Sequence, residues 1–405
     1  MTTGEMPPFV EELRLMDGNL AAAWGARLAR VEVLPAYPIT PEYPLMEGLI
    51  RFIEQGELAA RFIRVESDHS AMAACVGASL TGARAFTGTS SQGLAYMSEV
   101  LFQASGLRLP IVMCVVNRAL HAPHSRWPDH GDTIAQEGSG WLQLYCETAQ
   151  EVLDTTIQAF RIAQDERVQL PVMVNYEGYI ISHTKEPVRL PTQVEVDDFL
   201  PMVRRRHLDL ENPLAINAAA NPEIYWGFKH NQHQAMVGAR AVIREVNADY
   251  AHRFGRSWGG LAERYRAEGA RTLVVTMGSM AATARLAVDR LRTGGRSVGM
   301  LKVRAFRPFP ADELREAAGG AENIVVIDRN CVYGVGGALA REVKAGLWQS
   351  GARPRVAGWI AGLGGSDVGV DAMAEMITAS ETMDPAALQQ PLWYGLIDGG
   401  EKSEQ

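Results

Sequence analysis

The sequence predicts an α/β protein: residues 1–185 form a doubly wound parallel sheet, and residues 269–384 form a second, smaller α/β domain. Three observations predict it. Strand-length runs such as 109–116 and 171–175 are apolar throughout rather than alternating, as in strands covered on both faces. Helix-length segments separate these runs, and strand–helix alternation implies parallel pairing through crossovers. The alternation lapses over 186–268 and resumes at 270.

In order, residues 17–30 read as a helix capped near Asn19, rich in small residues and suited to close packing. Residues 31–37 form a short strand that runs into the stretch organising the first domain, Leu34-Pro35-Ala36-Tyr37-Pro38-Ile39-Thr40-Pro41-Glu42-Tyr43-Pro44. Proline at every third position favours an extended path with few backbone donors. Thr40 then reads as a helix N-cap, Pro41 as the first helical residue and Glu42 as a first-turn acid. Such an entry aims a hydroxyl and several N–H groups at an anion, for example a substrate carboxylate. The alternative is an ordinary stiff turn with a capping threonine. Helices follow at 45–54, 70–80, 94–105 and 149–164, interleaved with strands at 61–65, 83–87, 109–116 and 171–175.

Residues 186–268 read as a linker able to wrap a partner, with Pro187, Pro191 and Pro201, a basic Arg204-Arg205-Arg206-His207 and a helix at 234–254. Strands at 272–277, 297–303, 323–328 and 356–360 alternate with helices at 280–293, at 312–318 and from Gly337 onward. Residues 385–405 read as a surface tail.

A hydrophobic content of 47%, a charged content of 21% and a net charge of −8 argue against nucleic acid or an anionic membrane as main partner. No run of 18 apolar residues predicts a membrane span, and residues 1–12 lack the apolar core of a signal peptide, so a cytoplasmic protein is expected. Cys75, Cys114, Cys146 and Cys331 show no C-x-x-C spacing and are expected to be reduced thiols rather than cluster or zinc ligands.

Four places carry candidate chemistry. In Val65-Glu66-Ser67-Asp68-His69-Ser70 either acid caps the next helix or faces a ligand at the carboxyl edge of the sheet. Arg118, just past an apolar strand, is a fork for a carboxylate or the ion-pair partner of Glu66, Asp68 or Asp129. The loop from His121 to Asp132 holds three histidines and two aspartates without a metal-ligand spacing, so a polar lid is the preferred reading. Thr87-Gly-Thr-Ser-Ser-Gln-Gly93 lets backbone approach a ligand closely. Gly334-Val-Gly336-Gly337-Ala-Leu339 fails the G-x-G-x-x-G/A pattern, and there is neither a P-loop nor a G-x-S-x-G elbow.

Tyr37-Pro-Ile-Thr-Pro41, Val65-Glu-Ser-Asp-His-Ser-Ala-Met-Ala-Ala-Cys-Val-Gly-Ala78, Thr89-Ser-Ser-Gln-Gly93, Asn117-Arg-Ala-Leu120 and Lys302-Val-Arg-Ala-Phe-Arg-Pro-Phe309 stand in this order along the chain. Over about residues 17–365 the sequence resembles the alpha subunit of the 2-oxoacid:ferredoxin (acceptor) oxidoreductases, pyruvate:ferredoxin oxidoreductase type. The resemblance implies a thiamine diphosphate pyrimidine-type first domain and a transketolase-C-terminal-like second domain. It implies a beta subunit that binds the diphosphate with Mg2+, in keeping with the absence here of G-D-G followed by N. It places 4Fe–4S clusters on partner subunits, among them a ferredoxin-like iron–sulfur subunit and a gamma subunit. Coenzyme A and a 2-oxoacid are the implied substrates, and ferredoxin or an NAD-linked carrier the acceptor.

In that family a glutamate activates thiamine; its position falls on Asp68, one methylene shorter, with Glu66 two residues upstream as the alternative. Thr40 and Arg118 match positions that hold the substrate carboxyl and carbonyl groups. Pyruvate is the family default, and His124-Ser125-Arg126 in the loop leaves a larger acid such as phenylglyoxylate open. A non-catalytic scaffold subunit is the competing expectation, resting on aspartate at position 68. A self-sufficient transketolase-like enzyme is disfavoured by the missing diphosphate motif.

Overall fold

The structure, a computed structural model, describes residues 12–203, 208, 211–213, 215–217, 219–348 and 353–396. The polar stretch 1–11, the basic 204–207 and the last part of the tail, 397–405, lie outside the described residues.

The chain begins β1 (Glu12–Met16), α1 (Gly18–Leu28), β2 (Val33–Ala36), α2 (Tyr43–Glu54), β3 (Arg61–Arg64), α3 (Asp68–Leu80), β4 (Phe86–Thr89), α4 (Ser91–Tyr96), α5 (Ser98–Gly106) and β5 (Val112–Asn117). It continues α6 (Gly131–Ile134), β6 (Leu142–Tyr145), α7 (Ala149–Gln164), β7 (Val172–Glu177), β8 (Glu186–Leu190), α8 (Gln193–Phe199) and α9 (Pro222–Phe254). The remainder is β9 (Ala262–Tyr265), β10 (Thr272–Thr276), α10 (Met280–Thr293), β11 (Val298–Val303), β12 (Ala305–Arg307), α11 (Ala311–Ala317), β13 (Asn323–Asp328), α12 (Ala338–Leu347), β14 (Arg355–Ile360), α13 (Val370–Thr382) and β15 (Leu392–Trp393).

Two parallel-rich sheets result, as the alternation predicts. The first has the order β12-β6-β7-β5-β4, parallel except for β12, and the parallel pair β2–β3 extends it through a bridge from Val33 to Ala85. The second has the order β15-β14-β13-β10-β11-β9, parallel except for β9. Strand β5 shows why its sequence is apolar throughout. Val112, Cys114 and Val116 enter one core while Met113 and Val115 enter the core on the opposite face. Strand β10 divides likewise, Leu273 and Val275 to one side and Val274 to the other. Small residues in α1 serve close packing on α7: a Cβ on Gly25 would lie 2.7 Å from that of Thr156.

Several elements differ from expectation. Helix α9 starts at Pro222, capped by Asn221, not at 234; its burial begins only at Ala235, so the preceding turns lack an apolar stripe. Met97 separates α4 from α5 where one helix at 94–105 is predicted. Asp17 rather than Asn19 caps α1, accepting from Leu20 N–H at 2.9 Å. Strand β9 lies inside the expected linker, and β12 leaves the second half of the chain to pair with β6. Strand β15 carries part of the expected tail into the second sheet.

Candidate active site

The turns that leave β2, β3, β4 and β5 lie at the carboxyl edge of the first sheet, where open parallel sheets bind ligands. Hydrogen bonds link all four turns.

After β3, Glu66 and Asp68 take different places. Ser67 is the N-cap of α3, its hydroxyl accepting from Ser70 N–H at 3.2 Å, so neither acid is needed as a cap. Glu66 points to solvent and accepts from the Ser70 hydroxyl, which holds its carboxyl below the usual range. Asp68 turns inward and is 5% exposed. The Thr89 hydroxyl of β4 donates to its Oδ1 at 2.8 Å, and a Cβ on Gly93 would lie 2.5 Å from that oxygen. Burial pushes the Asp68 carboxyl up, while Thr89 and the residue's own backbone N–H pull it back. A buried carboxyl of raised basicity, seated against Gly93 at the edge of the sheet, suits proton exchange with a ligand.

Thr40 and Arg118 are brought together, by a contact that the sequence does not predict. Helix α2 begins at Tyr43 with Pro44 in its first turn, so Glu42, not Thr40, occupies the N-cap position and makes no capping bond. The expected Thr40 cap with Pro41 leading the helix is therefore corrected: the chain makes a further turn before α2. Asn19 of α1 donates to the Pro41 carbonyl at 2.9 Å and receives the Tyr176 hydroxyl at 3.0 Å, anchoring this turn. Thr40 is exposed. Arg118, 7% exposed, donates from Nη1 to the Thr40 carbonyl at 2.8 Å and from Nε to the Ser125 carbonyl at 3.0 Å. The ion pair with Glu66, Asp68 or Asp129 is not formed; backbone carbonyls hold the guanidinium instead.

Asp132 fixes this arrangement and is a site residue that sequence reading leaves inside the loop. Its Oδ2 accepts from the N–H groups of Ser91 (3.1 Å) and Arg118 (3.0 Å), while Oδ1 accepts from Asn117 Nδ2 and Thr133 N–H, both at 2.8 Å. Burial pushes its carboxyl up to about 6 against these donors. Ser91 is held at φ +47°, with its hydroxyl donating to the Ala119 carbonyl at 2.6 Å.

Glu42 is the other residue missed. Its side chain is fully buried, and a Cβ on Gly88 would lie 2.5 Å from Oε1. Neither carboxyl oxygen has a hydrogen-bond partner among the described residues. Burial first, then the charge of Asp68, raises its carboxyl well above the usual range, with the Ile39 backbone opposing. An acid in a proline-rich strand exit carries no signal of inward rotation.

The loop after Arg118 covers this edge. Ala119 N–H donates to the Trp127 carbonyl at 3.0 Å, the Trp127 ring lies 4.9 Å from that of Tyr179, and Gly365 N–H donates to the Pro128 carbonyl at 2.8 Å. His121 and His124 stack edge-on at 4.5 Å, and no cluster of three metal-ligating side chains occurs among the described residues. Beyond it, buried His130 meets Glu177 at 2.9 Å, and Ser279 N–H donates to the same carboxylate at 2.9 Å, joining the two sheets. Burial would raise the Glu177 carboxyl, but His130, the Arg329 charge and the Ser279 N–H together outweigh it and hold it low.

Residues 24–248 match the family described as "Pyruvate flavodoxin/ferredoxin oxidoreductase, thiamine diP-bdg", and residues 270–373 match "Pyruvate:ferredoxin oxidoreductase core domain II". The chain is 45% identical over 389 residues to pyruvate synthase subunit PorA of Methanocaldococcus jannaschii, covering 95% of this chain and 98% of the relative. It is 43% identical over 387 residues to ketoisovalerate oxidoreductase subunit VorA of Pyrococcus abyssi, with the same coverages, 95% and 98%. Among solved structures it is similar to a 2-oxoglutarate:ferredoxin oxidoreductase from Magnetococcus marinus with 2-oxoglutarate, coenzyme A and succinyl-CoA bound. That TM-score is 0.70 at 17% identity, covering 93% of this chain and 66% of the other, a likeness of fold. A split-gene transketolase, an inactive beta4 tetramer, shares the fold at a TM-score of 0.52 and 13% identity, covering 90% of this chain and 98% of the other.

Proposed function

The chain belongs to the pyruvate flavodoxin/ferredoxin oxidoreductase family, and from that premise we propose that it is the alpha subunit of a multisubunit 2-oxoacid:acceptor oxidoreductase. The reaction is R–CO–COO− + CoA–SH → R–CO–S–CoA + CO2 + H+ + 2 e−. The C1–C2 bond of the acid breaks, a C–S bond forms, and the two electrons leave for an iron–sulfur acceptor on partner subunits.

The observation that carries the proposal is Asp68, a buried carboxylate at the carboxyl edge of the sheet with Thr89 fixing one oxygen. Thiamine diphosphate, when bound, supplies the carbanion that attacks the 2-oxo carbon. The residues fit its aminopyrimidine end: an acid of raised basicity at the carboxyl edge of the sheet, its carboxylate seated in the space that Gly93 leaves. Asp68 exchanges a proton with that end, and Glu66, at the surface, does not. Arg118, with Thr40 behind it, presents a guanidinium to the carboxylate of the acid, and the 121–130 loop excludes water. The diphosphate and its Mg2+ belong to a beta subunit, and the clusters to ferredoxin-like and gamma subunits. A cytoplasmic place suits this assembly; no helix among the described residues is long and apolar enough to cross a membrane.

Pyruvate is the substrate proposed first. The 45% and 43% identities to a pyruvate and a ketoisovalerate subunit are too close to choose between them, so branched-chain acids come next, and phenylglyoxylate after them. The test is purification of the complex without oxygen, assay of thiamine and iron, and viologen reduction with each acid. Asp68→Ala is expected to lower turnover by about 10²-fold or more and Glu66→Ala by less than about 3-fold. Full activity in both variants would leave a scaffold subunit as the reading.

A further inference from the structure

Glu177, the last residue of β7, stands opposite Asn117, the last residue of β5, in the register of the first sheet. Its Oε1 takes two contacts, His130 Nε2 at 2.9 Å and the N–H of Ser279, the N-cap of α10, at 2.9 Å. The carboxyl is held low, so it accepts and the His130 ring donates. Glu177 Oε2 and His130 Nδ1 have no hydrogen-bond partner among the described residues, so the two side chains hold each other through this contact alone.

The second domain grips the same segment twice more. The Arg329 carbonyl, just past β13, accepts the His130 N–H at 2.9 Å, and Gly365 N–H donates to the Pro128 carbonyl at 2.8 Å. Gly365 lies at φ +79°, and a Cβ there would stand 2.6 Å from that of Trp127. Glycine is needed for this approach. The segment that leaves β5 at Arg118 is thus pinned by the second domain at 128–130.

Arg118 depends on that segment at both of its ends. Its backbone N–H donates to Asp132 Oδ2 at 3.0 Å, two residues beyond His130, and its Nε donates to the Ser125 carbonyl at 3.0 Å. The first domain supplies a separate anchor through β6. The Tyr145 hydroxyl meets that of Thr133 at 2.7 Å, and Gln143 Nε2 donates to the Thr133 carbonyl at 2.8 Å. With this anchor intact, losing the grip of the second domain shifts the segment and does not release it.

We propose that Glu177 and His130 are positioning residues through which the second domain sets the place of the Arg118 guanidinium, and with it the affinity for the 2-oxoacid. The inference rests on Arg118 as the fork for the acid's carboxylate, as proposed above. The second domain then acts on substrate binding at a distance, through one hydrogen-bonded pair and a glycine turn.

Steady-state kinetics of the complex, purified with its partner subunits, test this with the acid of highest turnover at saturating coenzyme A. Glu177→Leu is expected to raise KM for the acid by about 10-fold, the worth of a displaced charge-assisted bond, with kcat falling by less. Glu177→Gln recovers most of that loss, because an amide oxygen receives both N–H groups that Oε1 receives. Gly365→Ala pushes on the loop from the second domain, leaves the buried pair in place and is expected to raise KM by about 3-fold or more. It carries the test if Glu177→Leu does not assemble. In an Arg118→Lys background neither Glu177→Leu nor Gly365→Ala should raise KM further, since both act through that guanidinium. A purely structural role would lower the melting temperature and leave KM unmoved. That result in both variants, no recovery in Glu177→Gln, or increases that multiply with that of Arg118→Lys would each overturn the proposal. If Arg118→Lys by itself leaves KM unchanged, the reading of Arg118 falls, and the coupling to substrate falls with it.

Discussion

Arg118 Nη1 lies 2.8 Å from the Thr40 carbonyl oxygen, so two residues 78 positions apart are joined through a backbone group rather than through the threonine hydroxyl. The guanidinium is held by two carbonyls at once, a geometry that a planar fork supplies and an ammonium does not. Arg118→Lys is therefore expected to raise KM for the 2-oxoacid by about 10- to 100-fold, the worth of a charge-assisted bond or two. Thermal unfolding should move little. Steady-state kinetics with a fixed coenzyme A concentration check it, and an unchanged KM would remove Arg118 from the substrate site.

Gly93 has no side chain because Asp68 and Thr89 occupy its space. A Cβ there would lie 2.5 Å from both Asp68 Oδ1 and Thr89 Oγ1. Gly93→Ala has to displace the carboxylate, and a shift of about 1 Å at a reacting group costs about 10²-fold in turnover. Helix α4 accepts alanine readily, so the loss should appear in kcat without a matching fall in melting temperature. Equal activity in a folded Gly93→Ala protein would show that Asp68 does not need its observed position.

Asp132 accepts four hydrogen bonds of 3.1 Å or less, and a longer one from the Thr133 hydroxyl, and still has its carboxyl pushed up to about 6 by burial. The folded state then binds this proton more tightly than the unfolded chain does. Stability from this group is present below about pH 4 and is lost as pH rises to about 6, by about 3 kcal/mol at most. Asp132→Asn removes the titration but turns an amide donor toward two N–H groups, loosening Ser91 and Arg118. Denaturant unfolding of both proteins between pH 4 and 7 should show the wild-type advantage shrinking with pH. A difference independent of pH would mean that Asp132 titrates normally.

How much of this was legible depends on what each residue type betrays. Strands β5, β7, β10 and β13 were readable because burial on both faces leaves an unbroken apolar run. Strands β6 and β12, four and three residues long, are too short to leave a period, so the return of β12 to the first sheet was hidden. Asp68 and Arg118 were legible as candidates at strand ends, but only burial separates Asp68 from Glu66. Thr40 was misplaced because two prolines compete for the first helical turn, and Pro44 rather than Pro41 takes it. Glu42 left no trace, since its inward rotation follows from the path of the chain before α2.

The Lys302-to-Phe309 motif acquires its meaning where β11 meets the start of α7. Lys302, fully buried, donates to Glu151 at 2.6 Å and pairs with Glu147 at 2.9 Å, and Arg285 reaches Glu147 at 3.0 Å. Arg304, also fully buried, donates to Thr155 at 2.9 Å and to Gln158 at 3.1 Å. These residues join the second sheet to a helix of the first, so a defect here acts on both. Lys302→Met leaves the buried Glu151 with only Arg304, at 3.5 Å, as its cation, and breaking such a buried pair costs about 3–5 kcal/mol. Replacing both partners, as Lys302→Met with Glu151→Leu, removes the stranded charge and is expected to recover most of that loss. Denaturant unfolding of the wild type, both single variants and the pair gives the coupling directly. A Lys302→Met cost below about 1 kcal/mol would mean that water already reaches this network and that it does not hold the two sheets together.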